Sequence, residues 1–321
     1  MVNEANEIRQ LILDSAEKIF SSECDKKLLD AAEQGHLAEA LFGTLVENGF
    51  HQLGAAGSGT DAADLYAFLQ VCGRFAVPLP MAGVLLGNQW AGPIDGITSI
   101  GAFADDQIVG APWARDATRV IGVEESTGLL KVADQFEVVA HNVSVASELQ
   151  NTVRAQDYQT LEIQPHPFAQ MALANVNLIA GCLQAQLDLG ILFATQRSQF
   201  GRTISKFQAI QHSLAVVAAE VAAAKRAADA AVDALGDDRF VSEVAASKAR
   251  VGEAVTCVAE QVHQVHGAMG FTHEHQLHHF SRRSWAWRDE WGNEFYWQQR
   301  LGQKLCDLGA DNVWDFIATQ S

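Results

Sequence analysis

Apolar positions along the first third of the chain recur at helical spacing. Ile8, Leu11, Ile12, Ala16 and Ile19 fall three and four residues apart, as do Leu37, Leu41, Phe42 and Leu45, which places each set on one helix face. A glycine-rich break from Gly54 to Gly59 precedes Thr60 and Asp61, which can cap a helix running through Leu65, Phe68, Leu69 and Cys72. Pro78 and Pro80 end it, because proline removes a donor and restricts the residue before it. Residues 1–92 are therefore expected to form a helical domain. From 93 to 165 the texture changes to short β-branched runs, Arg119 to Val123, Leu129 to Val132 and Phe136 to Val139, separated by turn-forming residues. These predict a small β domain. Residues 166–321 return to helix. Phe168 to Arg197 reads as one long helix apolar on most sides, Phe207 to Leu235 as a second and Arg239 to His266 as a third, with shorter helix after Glu274. Long helices with short connections imply an antiparallel bundle. The expected fold class is mainly α with a small β domain.

Composition narrows the function. With 48% hydrophobic and 19% charged residues in 321, the chain can bury a large core and is not disordered. A formal net charge of −17 repels phosphate backbones and anionic lipid, so neither nucleic acid nor a membrane surface is an expected partner. The five cysteines, Cys24, Cys72, Cys182, Cys257 and Cys306, are odd in number and widely spaced, which fits reduced thiols. No basic, apolar leader opens the sequence and no run of about 18 uninterrupted apolar residues occurs, so a cytoplasmic location is expected.

Two segments carry the functional signal. Arg197-x-x-Phe200-Gly201-x-x-Ile204-x-x-Phe207-Gln208 joins the first two bundle helices, and Gln264-x-x-Gly267-Ala268-x-Gly270-Phe271 ends the third. Singly these are ordinary: an arginine at a helix end is usually a surface ion pair, and a glycine after a helix is usually a C-cap. Together they resemble the R-x-x-F-G-x-x-I-x-x-F-Q and Q-x-x-G-G-x-G-F signatures of the acyl-CoA dehydrogenases. The Gly54 to Pro80 segment is similar to that family's N-terminal region. The resemblance implies the acyl-CoA dehydrogenase fold, with an N-terminal helical domain, a reduced β domain and a C-terminal four-helix bundle. It also implies FAD as cofactor, an acyl-CoA substrate and an electron-transfer flavoprotein as electron acceptor. Carried over by position, Arg197, Phe200, Gln208, Gln264, Gly267 and Ala268 would contact FAD held mainly by a neighbouring subunit. The residue types suit the task. A guanidinium makes charge-assisted bonds to pyrophosphate, amides both donate and accept, and small residues let backbone approach.

Other parts of the family pattern are missing. Counted forward without a gap, the position of the family's catalytic glutamate is Trp291, followed by Gly292 and Asn293. Indole cannot accept a proton, and Glu290, about 100° away on a continuing helix, is expected to point elsewhere. The alternative base position, on the first bundle helix, falls near Met171, and no acidic residue lies between Phe168 and Gln186. The β region is short and lacks a T-E-P-x-x-G-S-D-like segment. The chain thus resembles the shortened, non-catalytic subunit of heteromeric dehydrogenases such as those acting on steroid side chains. The expected assembly is an α2β2 heterotetramer with a full-length, catalytic partner. Two other readings stay open: a self-sufficient enzyme using Glu290 as base, and a non-enzymatic scaffold or regulatory protein.

Two clusters invite other readings. Six of eleven histidines fall between His263 and His279, but H-E-x-x-H is absent, since Leu277 stands where its second histidine would be. No metal is expected; the histidines read as solvated or interface groups. Trp285, Trp287, Trp291 and Trp297 read as an aromatic core or subunit-interface segment, or Trp291 fills a vacated site. The Gly54 to Gly59 loop lacks the strand and lysine of a nucleotide loop and reads as a helix connection.

Overall fold

The structure, a computed structural model, describes residues 2–163 and 166–318. The expected boundary between β domain and bundle, after residue 165, adjoins residues 164 and 165, which lie outside the described ones. Five helices open the chain: α1 (Val2–Glu23), α2 (Lys26–Glu33), α3 (Glu39–Glu47), α4 (Ala62–Arg74) and α5 (Met81–Ala91). Asp61 caps α4 reciprocally with Asp64, each carboxylate accepting the other's backbone N–H. Leu65, Phe68, Leu69 and Cys72 then face inward.

Seven strands follow between Thr98 and Glu162: β1 (Thr98–Ala104), β2 (Gln107–Pro112), β3 (Arg119–Val123), β4 (Leu129–Ala133), β5 (Glu137–Val143), β6 (Leu149–Arg154) and β7 (Gln159–Glu162). They form one sheet in the order β5-β6-β2-β1-β3-β4-β7. Only β1 and β3 run parallel, with Ile100 opposite Ile121; the other pairs are antiparallel. Helix α5 lies against β1 so closely that a Cβ on Gly83 would sit 2.7 Å from the Thr98 carbonyl oxygen.

The C-terminal half is helical: α6 (Pro167–Gln196), α7 (Gln208–Asp233), α8 (Phe240–His266), α9 (Leu277–Asp289), α10 (Glu294–Leu308) and α11 (Val313–Ala318). A two-stranded hairpin, β8 (Ser198–Gln199) with β9 (Arg202–Thr203), links α6 to α7. Helix α6 is apolar and long enough to pass for a membrane span, yet it is the core of the bundle, covered by α4, α7, α8 and α9. It meets α4 through two notches. A Cβ on Gly73 would lie 1.9 Å from the Leu178 carbonyl oxygen, and one on Gly181 would lie 1.8 Å from that of Gln70. Only glycine lets these backbones touch.

Candidate functional site

Two concave sites lie at opposite ends of α6. The first is an open cleft of about 570 Å³ where α6, the hairpin and the end of α8 meet. Arg197 caps α6 in an extended conformation, its N–H donating to the Phe193 carbonyl, which turns the chain out into the hairpin. The hairpin turn is Phe200-Gly201, both with positive φ (54° and 78°). That pairing matches the twist of the strands. A non-glycine residue in this region costs about 1–2 kcal/mol, and the turn holds the Phe200 ring 91% exposed. Across the cleft, Gln264, Gly267 and Ala268 line the wall, with Gly267 at φ 58°.

Five of the six proposed nucleotide contacts therefore share one cleft: Arg197, Phe200, Gln264, Gly267 and Ala268. Gln208 does not line it; it stands exposed at the first position of α7. Among the described residues Arg197 is exposed and forms no salt bridge, so its guanidinium is available to an anion. His266, read from the sequence only as part of a histidine cluster, adds a further group to the cleft. Its Nδ1–H donates to the Val262 carbonyl at 2.8 Å, which leaves Nε2 as an acceptor, buried in the cleft wall without a partner among the described residues. Burial holds the imidazole neutral, lowering its pKa to about 4. A cationic, anion-binding group, amides, an unfilled acceptor and an exposed ring fit the adenosine diphosphate end of FAD.

The second site is a cavity of about 250 Å³ lined by α5, β1, β2, β6, α6 and α9. Phe168, Met171, Trp113, Trp287 and Trp291 make it largely apolar. Glu290 also faces it, contrary to the helical projection. The reason is local: α9 ends at Asp289, and Glu290 has extended backbone (φ −71°, ψ 144°), so the 100° step no longer applies. Trp291 follows in the left-handed region (φ 56°) and packs edge-on against Phe168. Both residues reach the cavity.

The carboxyl of Glu290 is held from both sides. Gln150 donates to Oε1 at 3.0 Å and Asn175 to Oε2 at 3.2 Å. Burial raises its pKa to about 7, and the nearby charge of Glu148 adds to the effect. Its backbone is fixed by Lys248, fully buried on α8, whose ammonium donates to the carbonyls of Trp287, Arg288 and Glu290 at 2.7, 2.9 and 2.7 Å. Burial pulls Lys248 down toward about 7, and the carboxylates around it pull back. Three carbonyl acceptors match three N–H donors, so the geometry accommodates the ammonium form. The signals for Lys248 and Asn175 were a lysine and an amide within largely apolar helix, patterns too common to single out. Gln150 gave no signal.

The architecture is that of an acyl-CoA dehydrogenase. Residues 163–288 match the family described as "Acyl-CoA dehydrogenase, C-terminal domain". The chain is 27% identical over 304 residues to acyl-CoA dehydrogenase IpdE2 of Mycobacterium tuberculosis, covering 87% of this chain and 91% of that protein. A probable acyl-CoA dehydrogenase of Bacillus subtilis, YngJ, is 36% identical over 106 residues, 33% of this chain and 28% of that one. Its C-terminal part is thus similar to that family, and the chain shares the acyl-CoA dehydrogenase fold. Among solved structures, the fold is shared with the Tcur3481–Tcur3483 steroid ACAD variant, at TM-score 0.82 and 18% identity over 95% of this chain and 99% of that one. It is shared equally with the ChsE4–ChsE5 complex of Mycobacterium tuberculosis, at 0.81 and 15% over 94% and 98%.

Proposed function

We propose that this chain is the FAD-contacting, non-catalytic subunit of a heteromeric acyl-CoA dehydrogenase. It would assemble as an α2β2 heterotetramer in the cytoplasm with a full-length partner and pass electrons to an electron-transfer flavoprotein. The substrate class is an acyl-CoA, with a steroid side-chain thioester favoured by the likeness in fold to the Tcur3481–Tcur3483 steroid ACAD. The observation that carries this reading is the outward presentation of Arg197 and Phe200. A bare guanidinium beside a 91% exposed ring, held in a strained turn, is a surface awaiting a second chain. The cavity of about 250 Å³ is below the usual range of roughly 300–1,000 Å³ for ligand pockets, small for a flavin ring together with a thioester.

Bound FAD supplies hydride acceptance; this chain's part is to hold the nucleotide. Co-expression with a full-length dehydrogenase subunit, followed by flavin and subunit quantitation, tests the reading. The expected result is little flavin on the chain alone and stoichiometric FAD in the complex. An isolated chain that is yellow and fully active on an acyl-CoA overturns it.

Glu290 favours a second reading. A buried carboxyl with a pKa near 7, facing an apolar cavity, is suited to accept a proton. Glu290→Gln separates the two: turnover lost with FAD retained supports a self-sufficient enzyme, and turnover kept by the complex supports a partner-held base.

A further inference from the structure

Helix α9 carries a second constellation, remote from the flavin reading and independent of it. His279 is fully buried, with Nδ1 against Glu33 Oε1 at 2.7 Å and Nε2 against Asp30 Oδ1 at 2.9 Å, both carboxylates on α2. Two carboxylate partners require both ring nitrogens to donate. Its neighbour His278 directs Nδ1–H to the His275 carbonyl at 2.8 Å. That bond fixes the tautomer, leaving the His278 Nε2 lone pair bare, and this atom is buried with no partner among the described residues. Asp30, His278 and His279 each offer a ligand atom, all within 4.8 Å of one another.

We propose that Asp30, His278 and His279 bind one divalent ion of the zinc class, clamping α2 to α9. Two imidazoles and a carboxylate are a zinc ligand set, with bonds of about 2.0–2.2 Å. Metal-bound histidines characteristically donate their other N–H to a carboxylate or a backbone carbonyl. Here Glu33 does this for His279 and the His275 carbonyl does it for His278, so the outer partners are already in place. Such bonds set ligand atoms about 3.3 Å apart around a tetrahedral ion, so the Asp30–His279 pair, now at 2.9 Å, opens slightly while wider separations close. The Asp30 side chain, 42% exposed, is free to make most of that movement and opens the site to water as fourth ligand. On binding, the proton of His279 Nε2 leaves to solvent, and Lys26, which holds Asp30 at 2.6 Å, gives way. Arg282, at 3.0 Å from Glu33, keeps that carboxylate in its supporting place.

The full-length chain, stripped with a chelator, is titrated with cobalt(II), read by its visible ligand-field bands, and then with zinc in competition. The expected result is one equivalent with tetrahedral bands. His278→Ala and His278→Gln should each weaken binding at least tenfold. Glu33→Gln should weaken it roughly 10–100-fold, Lys26→Ala should tighten it, and His273→Ala should leave it unchanged. Less than half an equivalent bound, or unchanged affinity in both His278 variants, overturns the site. Equal loss in His273→Ala assigns the ion to surface histidines and overturns it as well.

Discussion

Glu290 shows how much one backbone step decides. Its pKa is near 7 in the folded chain against an ordinary 4.5, so between those values the folded state holds the extra proton. Stability from this group is present below about pH 4.5 and is lost as pH rises through about 7, a span on the order of 3 kcal/mol. Glu290→Gln removes the titration. Denaturant melts of the variant and parent should therefore diverge in the variant's favour between pH 5 and pH 8, and parallel curves would count against the buried carboxyl. Lys248→Met should cost about 3 kcal/mol or more, because three carbonyls at the end of α9 lose their donor. Phe200 makes the opposite case. Phe200→Gly relieves a left-handed residue and should stabilise the isolated chain by about 1 kcal/mol, while lowering the FAD retained by the complex. A variant that loses stability in the isolated chain would show that the ring packs within its own subunit.

At the level of elements, periodicity made the helices legible. Val221, Ala224, Ala228 and Ala231 line the buried face of α7 at the spacing the sequence displays. The hairpin motif was equally legible, since Phe200-Gly201 needs only local chemistry. Glu290 was not, because projecting a helix past its end assumes continued rotation, and nothing local marks Asp289 as the last turn. The pairing of His279 with Asp30 and Glu33 was hidden for another reason. Its partners lie on α2, near the opposite end of the chain, and no local spacing encodes such a meeting. The α4–α6 contact gives a sharp test at this scale. Gly181→Ala places a methyl 1.8 Å from the Gln70 carbonyl and should cost about 3 kcal/mol or prevent folding. Gly43→Ala, in α3 with nothing within 4 Å, should add roughly 0.5–1 kcal/mol. Similar melting points for both variants would contradict the close crossing.

Across the whole molecule, the proposed assembly with an unlike partner is tested at the open cleft. Arg197→Ala should lower FAD occupancy of the complex about 10–100-fold, the worth of a charge-assisted bond, with the melting point of the isolated chain unmoved. Unaltered flavin content would remove the arginine from the cofactor. Helix α6 sets the last constraint. Asn175, beside the apolar cavity, and Arg197, at the cleft, ride on the same rigid rod. At a rise of about 1.5 Å per residue they stand roughly 33 Å apart, close to the diameter of a small domain. A dinucleotide gripped at one end of that rod cannot deliver its ring to the other. On the proposed reading, whatever reacts above a nucleotide held at the cleft does so outside this subunit's walls, and whatever enters its own cavity does so out of that cofactor's reach.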